Sequence, residues 1–87
     1  MEKRIFEAAH AEVARARVLF PDPKHLLHAL TEEHGEVVKA ALDLYSGKGT
    51  YEELDKEIIQ LIAMCIRLHT EGDPAINLDP PMKHVGR

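Results

Sequence analysis

Three carboxylates fall within five residues in the stretch Thr31-Glu32-Glu33-His34-Gly35-Glu36. If the stretch is helical, Glu33 and Glu36 lie one turn apart on the same face. Left unpaired they repel, and a divalent cation removes the repulsion, because Mg²⁺ and Ca²⁺ take hard oxygen ligands. An acidic run on a helix is otherwise a plain solvated face. Chemistry at this stretch therefore needs further ligands brought to it from elsewhere in the chain.

Glu57 is the first candidate for such a ligand. It falls in phase with Leu54, Leu61, Met64 and Leu68 on an apolar helical face, where a lone carboxylate is expensive without a cation, a partner or a raised pKa. Gln60 follows one turn later. If the two segments form an antiparallel hairpin centred near Lys48, Glu36 comes level with Gln60. The Glu57/Gln60 pair then lies about 5 Å along the axis from Glu33/Glu36 at the helical rise. A rival pair, Glu52 and Asp55, would miss by about 12 Å on the same rise. The spacing thus converges Glu33, Glu36, Glu57 and Gln60.

Three helices must position these groups. Residues 2–19 read as a first helix, with Ile5, Ala8, Ala9, Val13, Ala16 and Phe20 at helical spacing and alanines that permit close approach of another helix. Pro21-Asp22-Pro23 stops that helix, and the same tripeptide starts the next, with Asp22 as N-cap and Pro23 in the first helical position. The second helix is expected over 23–45, ending at Ser46-Gly47, where glycine takes a left-handed cap. Its apolar arc holds Leu26, Leu27, Leu30, Val37, Val38, Ala41 and Leu44, with a stripe of Ala29, Glu33, Glu36 and Ala40 beside it. Gly35 is a costly residue inside a helix, which points to close backbone approach there. Thr50 and Glu53 form a capping box, opening a third helix that runs to His69 or Thr70. That helix is apolar over more than half its circumference, more than two neighbours can cover, so oligomerisation is expected. The tail from Gly72 to Arg87, with Pro74, Pro80 and Pro81, is expected to be irregular. The reading is an all-α antiparallel bundle of three main helices over 1–71, completed by oligomerisation, followed by a tail over 72–87.

Glu32-Glu33-x-x-Glu36, a gap of twenty residues, then Glu57-x-x-Gln60 on an apolar helix resembles the MazG-like all-α nucleoside triphosphate pyrophosphohydrolases. The wording Leu30-Thr31-Glu32-Glu33-x-Gly35-Glu36 is close to that family's, and the likeness covers residues 25–70. The family pattern is E-E-x-x-E followed by E-x-x-D, from which this chain departs at Gln60, an oxygen ligand without charge. The resemblance implies that Glu33, Glu36 and Glu57, with Gln60, hold Mg²⁺ (or Mn²⁺), and that Glu32 and Glu33 serve catalysis. It also implies a nucleoside triphosphate substrate, cleaved between the α and β phosphates to NMP and pyrophosphate, and a homodimer or homotetramer. The alternative is a non-catalytic helical homo-oligomer on the same scaffold that binds nucleotide or a partner.

Composition narrows the field. The 87 residues are 45% hydrophobic and 30% charged, a globular composition for one small domain. A net charge of −4 without a basic run argues against binding nucleic acid. No apolar run is long enough to span a bilayer. The single Cys65 makes no internal disulfide and suits a reducing cytoplasm, and it reads as a small core residue. His34 reads as a packed histidine, and Arg67, Lys39, Lys48 and Lys56 as surface charges. Two other metal readings are weaker. His25, His28 and Glu32 share a stripe that could take Zn²⁺ but lack a fourth ligand. Glu7-x-x-His10 gives half of a di-iron bundle motif.

Overall fold

The computed structural model describes residues 2–85 and shows three α-helices: α1 over Glu2–Leu19, α2 over Leu26–Tyr45 and α3 over Tyr51–Glu71. The helical elements expected from the sequence are present, with no strand among the described residues. Short 3₁₀ turns at Pro74–Ile76 and Pro81–Lys83 follow. No described helix is long and apolar enough to cross a membrane.

α3 is the centre of the arrangement. Among the described residues both α1 and α2 pack on α3 and not on each other, and the Pro81–Lys83 turn also returns to α3. Ion pairs fasten α1 at both ends, Arg4 to Asp55 at 2.7 Å and Arg17 to Glu71 at 2.8 Å. α1 and α3 therefore run in the same sense. A groove is left between α1 and α2, floored by α3. The core consists mostly of small residues, Ala9, Val13 and Ala16 from α1, Leu26 and Ala40 from α2, and Ala63 from α3. Alanines bring the helices close but remove little apolar surface from water.

Two helix ends follow the sequence. Thr50 accepts the Glu53 amide at 3.1 Å, and Gly47 takes φ +78° after Ser46. The start of α2 does not. The helix begins at Leu26, preceded by His25 at φ 70°, and Asp22 caps only the Lys24 amide, at 2.9 Å. The cap of α2 comes from the tail, where the buried Asp73 carboxylate accepts the amides of His25 at 2.8 Å and Leu27 at 3.1 Å. The Asp73 side chain also accepts the Ala75 amide at 3.0 Å, and its backbone pairs with Leu78. The tail is thus a folded strap, where the proline content predicts an irregular segment.

Four further expectations are corrected. The expected close approach at Gly35 is absent, since a Cβ there would meet nothing within 4 Å. His34 and Cys65 are exposed, not packed in the core. α2 is also rolled relative to its apolar arc. Leu26, Ala29, Leu30, Glu33, Val37 and Ala40 face inward to differing degrees, while Leu27, Val38 and Ala41 are exposed. The small-residue stripe seats α2 on α3, because alanines allow the closest helix approach, and one flank of the larger apolar residues is left facing water.

Candidate functional site

The groove between α1 and α2 has a volume of about 520 Å³, within the range of small-molecule sites. Its residues follow helical spacing on all three walls: Glu12, Ala16 and Phe20 on the α1 side, Glu33, Ala29 and Leu26 on α2, and Gln60, Met64 and Arg67 on α3. One end is acidic and carries Glu12, Glu33 and Gln60. The middle is lined by Ala16, Ala29 and Met64. The other end is bounded by the α1–α2 connection from Phe20 to His25, and Arg67 lies on its floor.

Glu33 is the centre of the acidic end. Its Oε2 is buried without a hydrogen-bond partner, the single such side-chain atom among the described residues. Burial pushes its carboxyl above the ordinary glutamate range, and the charges of Glu57, Glu36, Glu12 and Glu32 push the same way. Each lies near enough for its charge to act on Glu33. Glu36 and Glu57 line a smaller recess of about 130 Å³ together with Lys39, Lys56 and Asp43. The four expected ligands are therefore divided, Glu33 and Gln60 in the groove and Glu36 and Glu57 in the adjoining recess. Glu32 stands on the groove rim, 4.0 Å from His28.

Among the described residues no group of three or more His, Cys, Asp or Glu side chains is gathered to hold a metal ion. Chemically, the donor set suits a hard cation. Glu33 offers an oxygen that lacks any partner, and the surrounding excess of negative charge is what a divalent ion offsets. Mg²⁺ needs only one or two carboxylates when water and phosphate oxygens complete its shell.

The rival residues lie elsewhere. Asp55 is held by Arg4 and Glu52 is exposed. His25 and His28 line the groove rim as exposed side chains, and Glu7 and His10 are exposed on α1.

Sequence reasoning missed one participant and misjudged two others. Glu12 brings α1 into the carboxylate cluster. Arg15 grips it through Nε at 2.9 Å, and that hydrogen bond holds the Glu12 carboxyl below its ordinary range against the opposing effect of burial. The Glu12–Arg15 spacing was legible, but its place beside Glu33 depended on how α1 docks. Phe20, expected on the apolar face of the first helix, instead follows its end and stands exposed at the far end of the groove. Arg67, expected on the surface, is 1% exposed. Its Nε and Nη2 bond the two oxygens of Glu71 at 2.9 and 2.8 Å. Glu71 also accepts from Arg17 Nε at 2.8 Å. The Arg67 hydrogen bond, with help from Arg17, keeps the Glu71 carboxyl below its ordinary range although burial opposes it. The i,i+4 pairing of Arg67 with Glu71 was the available signal.

Comparison of the chain with protein-family models, with curated proteins and with solved structures found no match in any of the three.

Proposed function

We propose that this protein is a Mg²⁺-dependent nucleoside triphosphate pyrophosphohydrolase, acting in the cytoplasm as a homodimer or homotetramer and converting an NTP or dNTP to the monophosphate and pyrophosphate. The observation that carries the reading is the Glu33 oxygen, buried without a partner inside a field of four other carboxylates. The MazG-like wording of residues 30–36 supports it independently.

Mg²⁺, or Mn²⁺ in its place, would have to draw Glu36 and Glu57 from the recess toward Glu33 and the amide oxygen of Gln60 in the groove to be held by all four. Bound there, the ion would offset phosphate charge and acidify the attacking water. Glu33, raised above the ordinary carboxylate range by burial and like charge, would accept a proton, and Glu32 beside it on the rim would assist. The groove walls would exclude bulk water from the nucleotide. Leu54, Ile58, Ile59, Leu61 and Ile62 of α3 are only half-buried, and a second copy would complete the bundle.

A second reading is favoured by two observations, the uncharged Gln60 in place of an acid and the ligands divided between groove and recess. It is a non-catalytic homo-oligomer that binds nucleotide or a regulatory partner. A panel of NTPs and dNTPs assayed for pyrophosphate release with Mg²⁺ separates the readings. Release from at least one nucleotide, lost in Glu33→Gln, supports the enzyme. No release from any, with nucleotide binding retained, supports the second.

A further inference from the structure

Two of the three long faces of α2 already have a role. One turns inward on α3 through Leu26, Ala29, Glu33 and Ala40, and a second carries Glu32, Glu36, Lys39 and Asp43. The third runs through Leu27, Thr31, Gly35, Val38, Leu42 and Tyr45, at intervals of three and four residues that keep them in line along the helix. All six are exposed, with Leu27 at 42%, Val38 at 44%, Leu42 at 59% and Tyr45 at 91%. None is Asp, Glu, Lys or Arg, nor are His34 and Ala41 beside them, in a chain that is 30% charged. A helix face that stays in water is ordinarily polar or charged.

The occupant that fits this seam is a second copy of the chain. Gly35 stands at the middle of the 20-residue helix, and a Cβ there would meet nothing within 4 Å. Such a glycine costs the helix about 1 kcal/mol and relieves no contact in its own chain, but it leaves bare backbone for a neighbour to approach. With a two-fold axis at Gly35, an antiparallel partner sets residues equally far from the centre opposite one another. Leu27 of one copy then comes level with Leu42 of the other to within about 1.5 Å along the axis, and Thr31 with Val38 equally closely. A two-fold contact requires a surface that complements itself, and an uncharged seam meets no like charge. The charged edge agrees in sign, because Lys39 of each copy comes within about 1.5 Å of level with Glu32 on the groove rim of the other. The surface to be covered is sufficient. The chain exposes 6296 Å², about 1,100 Å² more than a compact monomer of its mass, and a standard interface removes about 800 Å² from each partner. A lipid surface fits less well, since the edge beside the seam holds three acids and one lysine, where membrane-bound helices carry mostly Lys and Arg.

We propose that two copies of this protein pair through the outer face of α2, antiparallel about a two-fold axis at Gly35, with Lys39 of each reaching Glu32 at the groove of the other. The inference rests on the homo-oligomer in the reading above and assigns its contact surface.

Light scattering on the full chain at micromolar concentration tests it, with circular dichroism to verify helicity. Leu27→Glu and Leu42→Lys, both at exposed positions, should each halve the mass of the parent assembly. The double variant Leu27→Glu/Leu42→Lys should restore it. Those two positions are fifteen residues apart, about 22 Å within one helix, so rescue requires contact between antiparallel copies. A monomeric parent overturns both the seam and the oligomer. A parent assembly whose mass neither single variant changes overturns the seam and leaves the oligomer standing. Loss in the single variants without rescue in the double overturns the antiparallel pairing. Should either leucine variant fail to fold, Val38→Glu decides: an unchanged mass overturns the proposal.

Discussion

Glu33 shows how burial and like charge act together on one side chain. Its carboxyl is raised in the folded chain, so the folded state holds this proton more firmly than the unfolded state does. The contribution of Glu33 to metal-free stability is therefore greatest below the ordinary glutamate range and is lost as pH rises through the raised folded value. Thermal melts from pH 5 to pH 8 should show this loss in the parent, and Glu33→Gln should reduce it and raise the metal-free melting temperature near neutral pH. Unchanged pH dependence in the variant would refute the assignment. Gln60 gives a second prediction. Gln60→Asp adds a fourth acid and should tighten Mg²⁺ binding in calorimetry while lowering metal-free stability. Asp55→Asn removes a surface ion pair with Arg4, worth less than about 1 kcal/mol, and should leave Mg²⁺ affinity unchanged. The reverse ranking would place the site at Glu52 and Asp55.

The helix ends carry the next predictions. Burial of Asp73 raises its carboxyl pKa, but the amides of Leu27, His25 and Ala75 together outweigh burial and hold the pKa below the ordinary aspartate value. The stability that this cap supplies is present above the unfolded aspartate pKa and is lost as pH falls through the lowered folded value. Asp73→Ala should therefore lower the urea midpoint at pH 7 by more than Asp22→Ala, and the difference should shrink toward pH 3. Equal effects at pH 7 would show that the strap does not secure α2. Two glycines make a contrast at this scale. A Cβ at Gly72, where φ is +69°, would stand 2.2 Å from the Leu78 carbonyl oxygen, so Gly72→Ala must displace the strap and destabilise the fold. Gly35 sits in open space, and Gly35→Ala should stabilise the isolated chain by about 1 kcal/mol through helix propensity. Loss of stability in Gly35→Ala would mean that another copy approaches that backbone.

At the scale of the whole molecule the surface is large for the mass. The chain exposes 6296 Å², whereas a compact monomer of 9.8 kDa exposes about 5,200 Å². Its radius of gyration of 14.1 Å exceeds the about 12 Å expected for this length. Val38, Leu42, Tyr45 and Tyr51 are exposed near the α2–α3 turn, and Phe6, Val18 and Leu19 along α1. The proposed oligomer would bury part of this surface. Light scattering at micromolar concentration should give a multiple of the chain mass, and Leu42→Lys should shift it toward the monomer. A stable monomeric parent would remove the oligomer from the proposal.

Much of this protein was legible in its residues because helix formation is local. Periodicity, Pro21-Asp22-Pro23, Gly47 and Thr50 marked three helices and most of their ends, and the Glu33 and Glu57 positions stood out as acids where acids are costly. What sequence could not supply was rotation and distance. α2 seats on its small-residue stripe and not on its larger apolar arc, which turned Leu27 and Val38 outward and drew Glu33 in. Docking of α1 on α3 brought Glu12 to the carboxylates and buried Arg67 against Glu71, and the cap of α2 came from Asp73, forty-eight residues beyond His25. Each depends on which surfaces meet, a property of packing between helices that no single helix encodes.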